Sequence, residues 1–146
     1  MGENLPYADE VPYFKTGASS PDTWLDKAAV ELKRRGGRVN MRAQGTDPMT
    51  GGEALMFVFE LEGESFKILW PILPVKNEKD KLAARRQAAT MIYHDVKAKC
   101  ITAEVLGART AFFSFLLLPD KRTVSELSAP ELMNGLPDMK KLSAGA

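Results

Sequence analysis

The chain has 146 residues, of which 45% are hydrophobic and 27% charged, and its formal net charge is +1. These values are typical of one globular domain with a core of its own. No apolar run is long enough to span a bilayer and the first residues show no signal-peptide pattern, so we expect no membrane contact. The single cysteine, Cys100, excludes an internal disulfide framework and favours a reducing cytoplasm.

Charge is distributed in blocks although the total is close to zero. Residues 1–31 carry six acids and two bases, and residues 32–46 carry five bases and no acid. Residues 47–66 then carry five acids and no base, and residues 67–99 carry eight bases and three acids. A near-neutral total can therefore conceal a basic surface.

The first helix is predicted from Ser20. Residues 1–19, which precede it, show no period and are expected to form an extended arm or, equally, a mobile terminus. Ser20-Pro21-Asp22 is a typical helix start, and Gly36-Gly37 is a typical helix end. Lys33, Arg34 and Arg35 fall in the last turn, where they complement the helix dipole or contribute to a binding surface.

A first strand is predicted from Arg38. Apolar and polar residues alternate there with a period of two, which predicts one face on a core and one polar face. The polar face is either a plain solvated surface or a groove floor, because arginine can grip phosphates in a fixed fork. The apolar face comprises Val39, Met41 and Ala43, and the polar face comprises Arg38, Asn40, Arg42 and Gln44.

Two further strands follow a turn-rich link over residues 45–52. Residues 54–61 are apolar on both faces, which predicts the central strand of the sheet. Residues 66–72 form the third strand, and because Pro71 and Pro74 cannot donate to a sheet, this end lies at an edge or leaves the sheet. Trp70 in this strand is interpreted either as a stacking surface for bases or as part of the core.

A long helix is predicted over residues 78–106, with Asn77 as its cap and Gly107 at its end. The apolar segment 109–118 is interpreted as a further helix, with a buried strand as the alternative. Residues 128–146 are either a loosely packed tail or an arm that docks on a neighbouring subunit. The apolar stripe predicted for this helix comprises Leu82, Ala89, Ile92, Tyr93, Val96, Cys100 and Val105.

Few residues suggest catalysis. His94 is the only histidine, and its helix position does not bring it to Cys100, so a Cys–His nucleophile is not expected. Glu60 and Glu62 could pair in a metal-dependent nuclease, although a solvated hairpin tip is the simpler interpretation. We expect no enzyme, no cofactor and no bound metal.

Two resemblances add to this interpretation. The segment FSFLLLPDKRTVSE over residues 113–126, with ARRQA and WPILPV before it, resembles a set of uncharacterised phage and metagenomic proteins. That resemblance implies a viral or mobile-element origin, and hence a host-cell cytoplasm. The order helix, three antiparallel strands, long helix resembles the core of RAD52-like single-strand annealing proteins, in topology alone.

The sequence therefore predicts an α+β fold: an N-terminal helix, a three-stranded antiparallel β-meander, a long helix packed on the sheet and a further C-terminal helical segment. Residues 20–127 form the domain, between the arm and the tail. The predicted function is binding of single-stranded DNA by a homo-oligomer, and the alternative is a protein-interaction module that does not bind nucleic acid. The predicted contact residues are Lys33, Arg34, Arg35, Arg38, Asn40, Arg42, Gln44, Trp70, Lys81, Arg85 and Arg86.

Overall fold

The computed structural model describes residues 5–15, 17–127 and 130 and confirms the predicted α+β class. Helix α1 is followed by three antiparallel strands in the order β1-β2-β3, then by helix α2 and a short helix α3. Single 3-10 turns lie at Ala8–Glu10, Glu78–Asp80, Phe113–Phe115 and Val124–Glu126. The bounds are Pro21–Lys33 for α1, Arg38–Thr46 for β1, Glu53–Leu61 for β2, Glu64–Pro71 for β3, Lys81–Leu106 for α2 and Ala108–Ala111 for α3.

Helix α1 begins and ends as its sequence predicts. The Ser20 side chain accepts a hydrogen bond from the Thr23 N–H at 3.2 Å, which satisfies one free donor of the first turn. At the other end Gly36 has a φ of +82°, a conformation in which glycine carries no penalty. Gly37 is required for space, because a Cβ there would lie 2.6 Å from the Glu60 carbonyl oxygen. The two glycines thus bring the chain directly from α1 onto the sheet.

The core lies on one face of the sheet and is covered by α1 and α2. The fully buried residues Phe57, Phe59 and Phe66 form its centre, and the Phe59 and Phe66 rings stack at 5.3 Å. The two helices run in the same direction, because Trp24 contacts Tyr93 while Arg35 contacts Glu104 further along both. β2 is the central strand, as predicted.

Strand β1 corrects the predicted alternation. Val39 lies opposite Phe59 and Met41 lies opposite Val58, so Asn40 is an extra residue in a β-bulge. A one-residue shift exchanges the two faces of a strand. Beyond the bulge the apolar residues therefore point away from the core, and Met41 is 50% exposed. The prediction that Met41 and Ala43 share a core face with Val39 is wrong.

Smaller differences occur around α2. Leu82 and Val105, assigned to its apolar stripe, are exposed, whereas the stripe's other members are buried or half-buried. Asn77 makes no side-chain capping bond. The segment after Gly107 is only partly helical, since α3 and one 3-10 turn are followed by a bridge from Leu116 to Phe66.

The N-terminal arm is packed on α2 in its described part. The Gln87 side chain is 1% exposed, and its Nε2 donates to the carbonyl oxygens of Ala8, Val11 and Pro12 at 2.9–3.2 Å. The Ala8 N–H in turn donates to the Pro74 carbonyl oxygen at 2.9 Å. The Gln87 amide thus joins the arm to α2, and the Ala8 N–H joins the arm to the segment that follows β3. The predicted tail, residues 128–146, lies outside the described residues except for Pro130.

Candidate nucleic-acid interface

The four residues of the predicted polar strand face lie on opposite faces of the sheet. Arg38 and Asn40 are on the outer face, where both donate to the Glu60 carboxylate, Asn40 at 2.9 Å. Arg42 and Gln44 lie opposite the buried Phe57 and Leu55, on the side that carries the helices. The prediction of a single polar face is therefore wrong, because the bulge at Asn40 divides it.

The arginines of this strand are also neutralised. The Arg42 guanidinium contacts the Asp26 carboxylate at 2.6 Å and that of Asp22 at 3.4 Å, both on α1. The Asn40 hydrogen bond, followed by the charge of Arg38, lowers the pKa of Glu60 and favours its ionised form. Phosphates would have to compete with these carboxylates for the two arginines.

The basic end of α1 is largely neutralised in the same way. Arg34 and Arg35 both contact the Glu31 carboxylate, at 3.2 and 3.3 Å, and Arg35 also contacts Glu104 at 2.7 Å. Lys33 is exposed and forms no ion pair within the described part of the chain.

The remaining predicted residues occupy three different environments. Trp70 lies opposite Leu55 on the core face and packs half-buried against the core. Arg86 donates through Nε to the Ser19 carbonyl oxygen at 2.7 Å and so holds the end of the arm. Gln44, Lys81 and Arg85 come together, because all three line one cavity at the end of the sheet.

An aromatic cluster that the sequence did not predict lies where the arm crosses α1 and α2. The rings of Tyr13 and His94 stack with centroids 4.9 Å apart and an angle of 19°. Trp24 lies 5.5 Å from Tyr93 and 6.0 Å from His94. His94 is exposed, Tyr13 is 38% exposed and the other two rings are half-buried. We call these four residues the aromatic cluster.

Two lysines extend this cluster along both helices. The Lys27 ammonium lies 4.3 Å from the centre of the Trp24 ring, and the Lys97 ammonium lies 5.9 Å from that of Tyr93. Among the described residues neither lysine forms an ion pair. They therefore present positive charge that no described carboxylate pairs with. The sequence shows the spacings of Trp24 and Lys27 (i, i+3) and of Tyr93 and Lys97 (i, i+4), but it does not show that the two helices pack side by side.

Tyr13 is held in an unusual backbone conformation, with a φ of +72°. Large side chains seldom adopt this region, and such strain is concentrated at functional sites. Here it accompanies the stacking of the Tyr13 ring on His94.

The predicted acid pair does not assemble. Glu60 contacts β1, whereas the Glu62 carboxylate accepts a hydrogen bond from the Ala108 N–H at 3.1 Å, at the start of α3. Within the described residues no three histidine, cysteine, aspartate or glutamate side chains are grouped as a metal site. Cys100 is fully buried, and this burial raises the pKa of its thiol to about 11, against the opposing charge of Arg35.

The chain was compared with protein-family models, with curated proteins and with solved structures, and none of them matches it. Among the described helices, none has the length and apolar character needed to cross a membrane.

Proposed function

We propose that this protein binds single-stranded nucleic acid, DNA in the first instance, across the surface formed by α1, α2 and the N-terminal arm. The observation that carries the proposal is the aromatic cluster with Lys27 and Lys97 beside it. Proteins that hold single strands combine exposed rings, on which bases stack, with cations that meet the phosphates. Both components are present here within two turns of two adjacent helices.

The rings and the lysines have separate tasks in this proposal. Tyr13 and His94 are the most exposed rings of the aromatic cluster, so an unpaired base stacks on them, and such stacking contributes about 1–3 kcal/mol per base. The lysines sit one turn further along each helix and meet the phosphates on either side of that base. Duplex DNA presents no free ring face, so the proposal predicts a preference for single strands.

This site replaces the strand face as the main contact surface. Within the part of the chain that the structure describes, Lys27 and Lys97 form no ion pair, whereas Arg38 and Arg42 would have to leave Glu60 and Asp26. Lys33 lies at the far end of α1 and extends the positive surface. The resemblance to single-strand annealing proteins supports the same function, as an analogy of topology.

The experiment is a titration of a fluorescent oligothymidylate, about 20 nucleotides long, from about 20 to 200 mM NaCl, followed by anisotropy. Lys27→Gln with Lys97→Gln should weaken binding roughly tenfold at low salt and reduce the slope of log K against log salt by about 1.4. The matched control is Lys79→Gln with Lys121→Gln, which removes two exposed lysines that form no ion pair among the described residues.

Three results would contradict the proposal. The first is the absence of binding to single-stranded DNA and RNA at about 20 mM salt. The second is an equal loss of affinity in the two double variants, which would reduce the interaction to a general effect of net charge. The third is tighter binding to a duplex of the same length, which would assign the surface to a different ligand.

A second candidate function is a protein-interaction module, favoured by the outer face of the sheet. Met41 is 50% exposed there, beside the half-buried Met56, Val58 and Leu69. β1 also borders this face as an edge strand. If a second copy of the chain covers it, light scattering after size exclusion will give a dimer that Met41→Glu converts to a monomer. A monomeric native chain would contradict this self-association.

A further inference from the structure

A cavity of about 560 Å³ lies where the end of the sheet meets the start of α2. Its size falls within the range of small-molecule sites. Its lining combines apolar side chains with charged and polar ones. The apolar residues are Leu5, Ile72, Leu73, Pro74, Val75 and Ala84, and the polar residues include Gln44, Thr50, Glu53, Glu78, Lys81 and Arg85.

Of the four charged side chains of the cavity, Lys81 and Glu78 pair with each other among the described residues, and Glu53 accepts from a neutral amide. Gln44 Nε2 donates to the Glu53 carboxylate at 3.0 Å, and the Lys81 ammonium contacts that of Glu78 at 3.1 Å. Arg85 forms no ion pair with any described residue, and its Nε–H is buried without a hydrogen-bond acceptor. A guanidinium that lines a cavity without a counter-charge favours an anionic ligand there.

We propose that this cavity binds a small organic monoanion with an apolar body, of the monocarboxylate class. The carboxylate accepts from the Arg85 guanidinium in the two-pronged geometry that arginine favours. The body lies against Ile72 and Pro74. A single charge fits best, because Arg85 is the one cation of the lining without an ion pair among the described residues, and a second negative charge would meet Glu53 and Glu78.

The site is separate from the aromatic cluster, with which it shares no residue. The sequence predicts that Gln44, Lys81 and Arg85 contact a nucleic-acid strand. In this proposal they instead line the pocket of a small molecule. The inference goes beyond the proposed function, because either site can be occupied without the other.

The test compares three eight-carbon probes on the native protein: octanoate, octyl phosphate and the neutral 1-octanol. Binding is followed at pH 7 by ¹H–¹⁵N chemical-shift changes, which locate the probe as well as measure its affinity. Octanoate should give saturable shifts at the backbone amides of Thr50, Ile72 and Val75. It should bind about tenfold more tightly than 1-octanol, since only the anion satisfies Arg85.

Arg85→Gln should remove the advantage of octanoate over 1-octanol, whereas Lys79→Gln, which removes the same charge outside the cavity, should preserve it. The proposal fails if octanoate does not saturate at these amides, if 1-octanol binds equally well, or if octyl phosphate binds more tightly than octanoate. The comparison of probes on the native chain decides the matter even if Arg85→Gln does not fold. Loss of oligonucleotide binding in Lys27→Gln with Lys97→Gln leaves this result unaffected.

Discussion

Arg42 of β1 and Asp26 of α1 are joined by a contact of 2.6 Å between guanidinium and carboxylate, with Asp22 as a second, longer contact. The contact connects the exposed edge strand to the first helix. It forms because the bulge at Asn40 turns Arg42 towards the helices rather than away from them. The side chain that the sequence suggested for phosphate binding therefore serves to fasten β1 to α1.

A double-mutant cycle of Arg42→Gln and Asp26→Asn measures this contact. The Arg42 side chain is 29% exposed and that of Asp26 is 68% exposed, so solvent weakens the attraction. We expect a coupling free energy of about 0.2–1 kcal/mol in urea unfolding. Arg42→Gln should also change oligonucleotide affinity less than about twofold. A loss of oligonucleotide affinity as large as that of Lys27→Gln with Lys97→Gln would mean that Arg42 contacts the oligonucleotide.

The amide of Gln87 provides a second prediction. Gln87→Leu leaves the carbonyl oxygens of Ala8, Val11 and Pro12 without their shared donor in a buried site. The free energy of unfolding should fall by about 1–3 kcal/mol, and limited proteolysis should cut the arm faster. Gln44→Leu is the control, because its amide is exposed and the change should stay within about 0.5 kcal/mol. If both variants lower the free energy of unfolding equally and expose the arm equally to protease, Gln87 does not hold the arm.

The carboxylate of Glu126 gives a prediction for pH. Burial acts to raise its pKa, but two 2.9 Å hydrogen bonds from Thr123 and the nearby Lys67 ammonium outweigh burial, and the pKa is lowered. A lowered folded-state pKa adds stability that is complete above the unfolded pKa of about 4.3 and disappears as pH falls through the folded value. The thermal midpoint of Glu126→Gln should therefore lie below that of the native chain at pH 6 and approach it below about pH 4.

Lys67→Met tests the assigned cause of that shift. Without the ammonium the pKa of Glu126 is higher, so the pH-dependent part of the stability should be lost at a higher pH. If the difference in thermal midpoint between the native chain and Glu126→Gln stays constant from neutral to acid pH, the ionisation of Glu126 does not contribute to stability.

Most of the fold could be predicted because its signals are local. Ser20 as a cap, the glycines after α1 and the apolar run of β2 each act within a few residues. The bulge could not be predicted in this way, because Arg38, Asn40, Arg42 and Gln44 keep a perfect period of two in the sequence. Only the pairing with β2 shows that Asn40 has no partner of its own.

The candidate site was predicted less well than the fold. A count of basic residues identifies Arg34 and Arg42 but cannot show that Glu31 and Asp26 neutralise them. The same count misses Lys27, because this lysine lies in the acidic block of residues 1–31, although it forms no ion pair within the described chain. Trp24 and Tyr93 are 69 positions apart in the sequence, and their contact depends on how α1 lies beside α2.

The bulge also matters for any comparison of this chain with a relative. A homologue that lacks a counterpart of Asn40 could keep both surfaces of β1 unchanged, because the residue before and the residue after it already face consecutive partners on β2. A gap in that single column is therefore structurally conservative. A gap placed at the end of the strand instead would shift every residue between Asn40 and that end by one position, and would exchange their inner and outer faces.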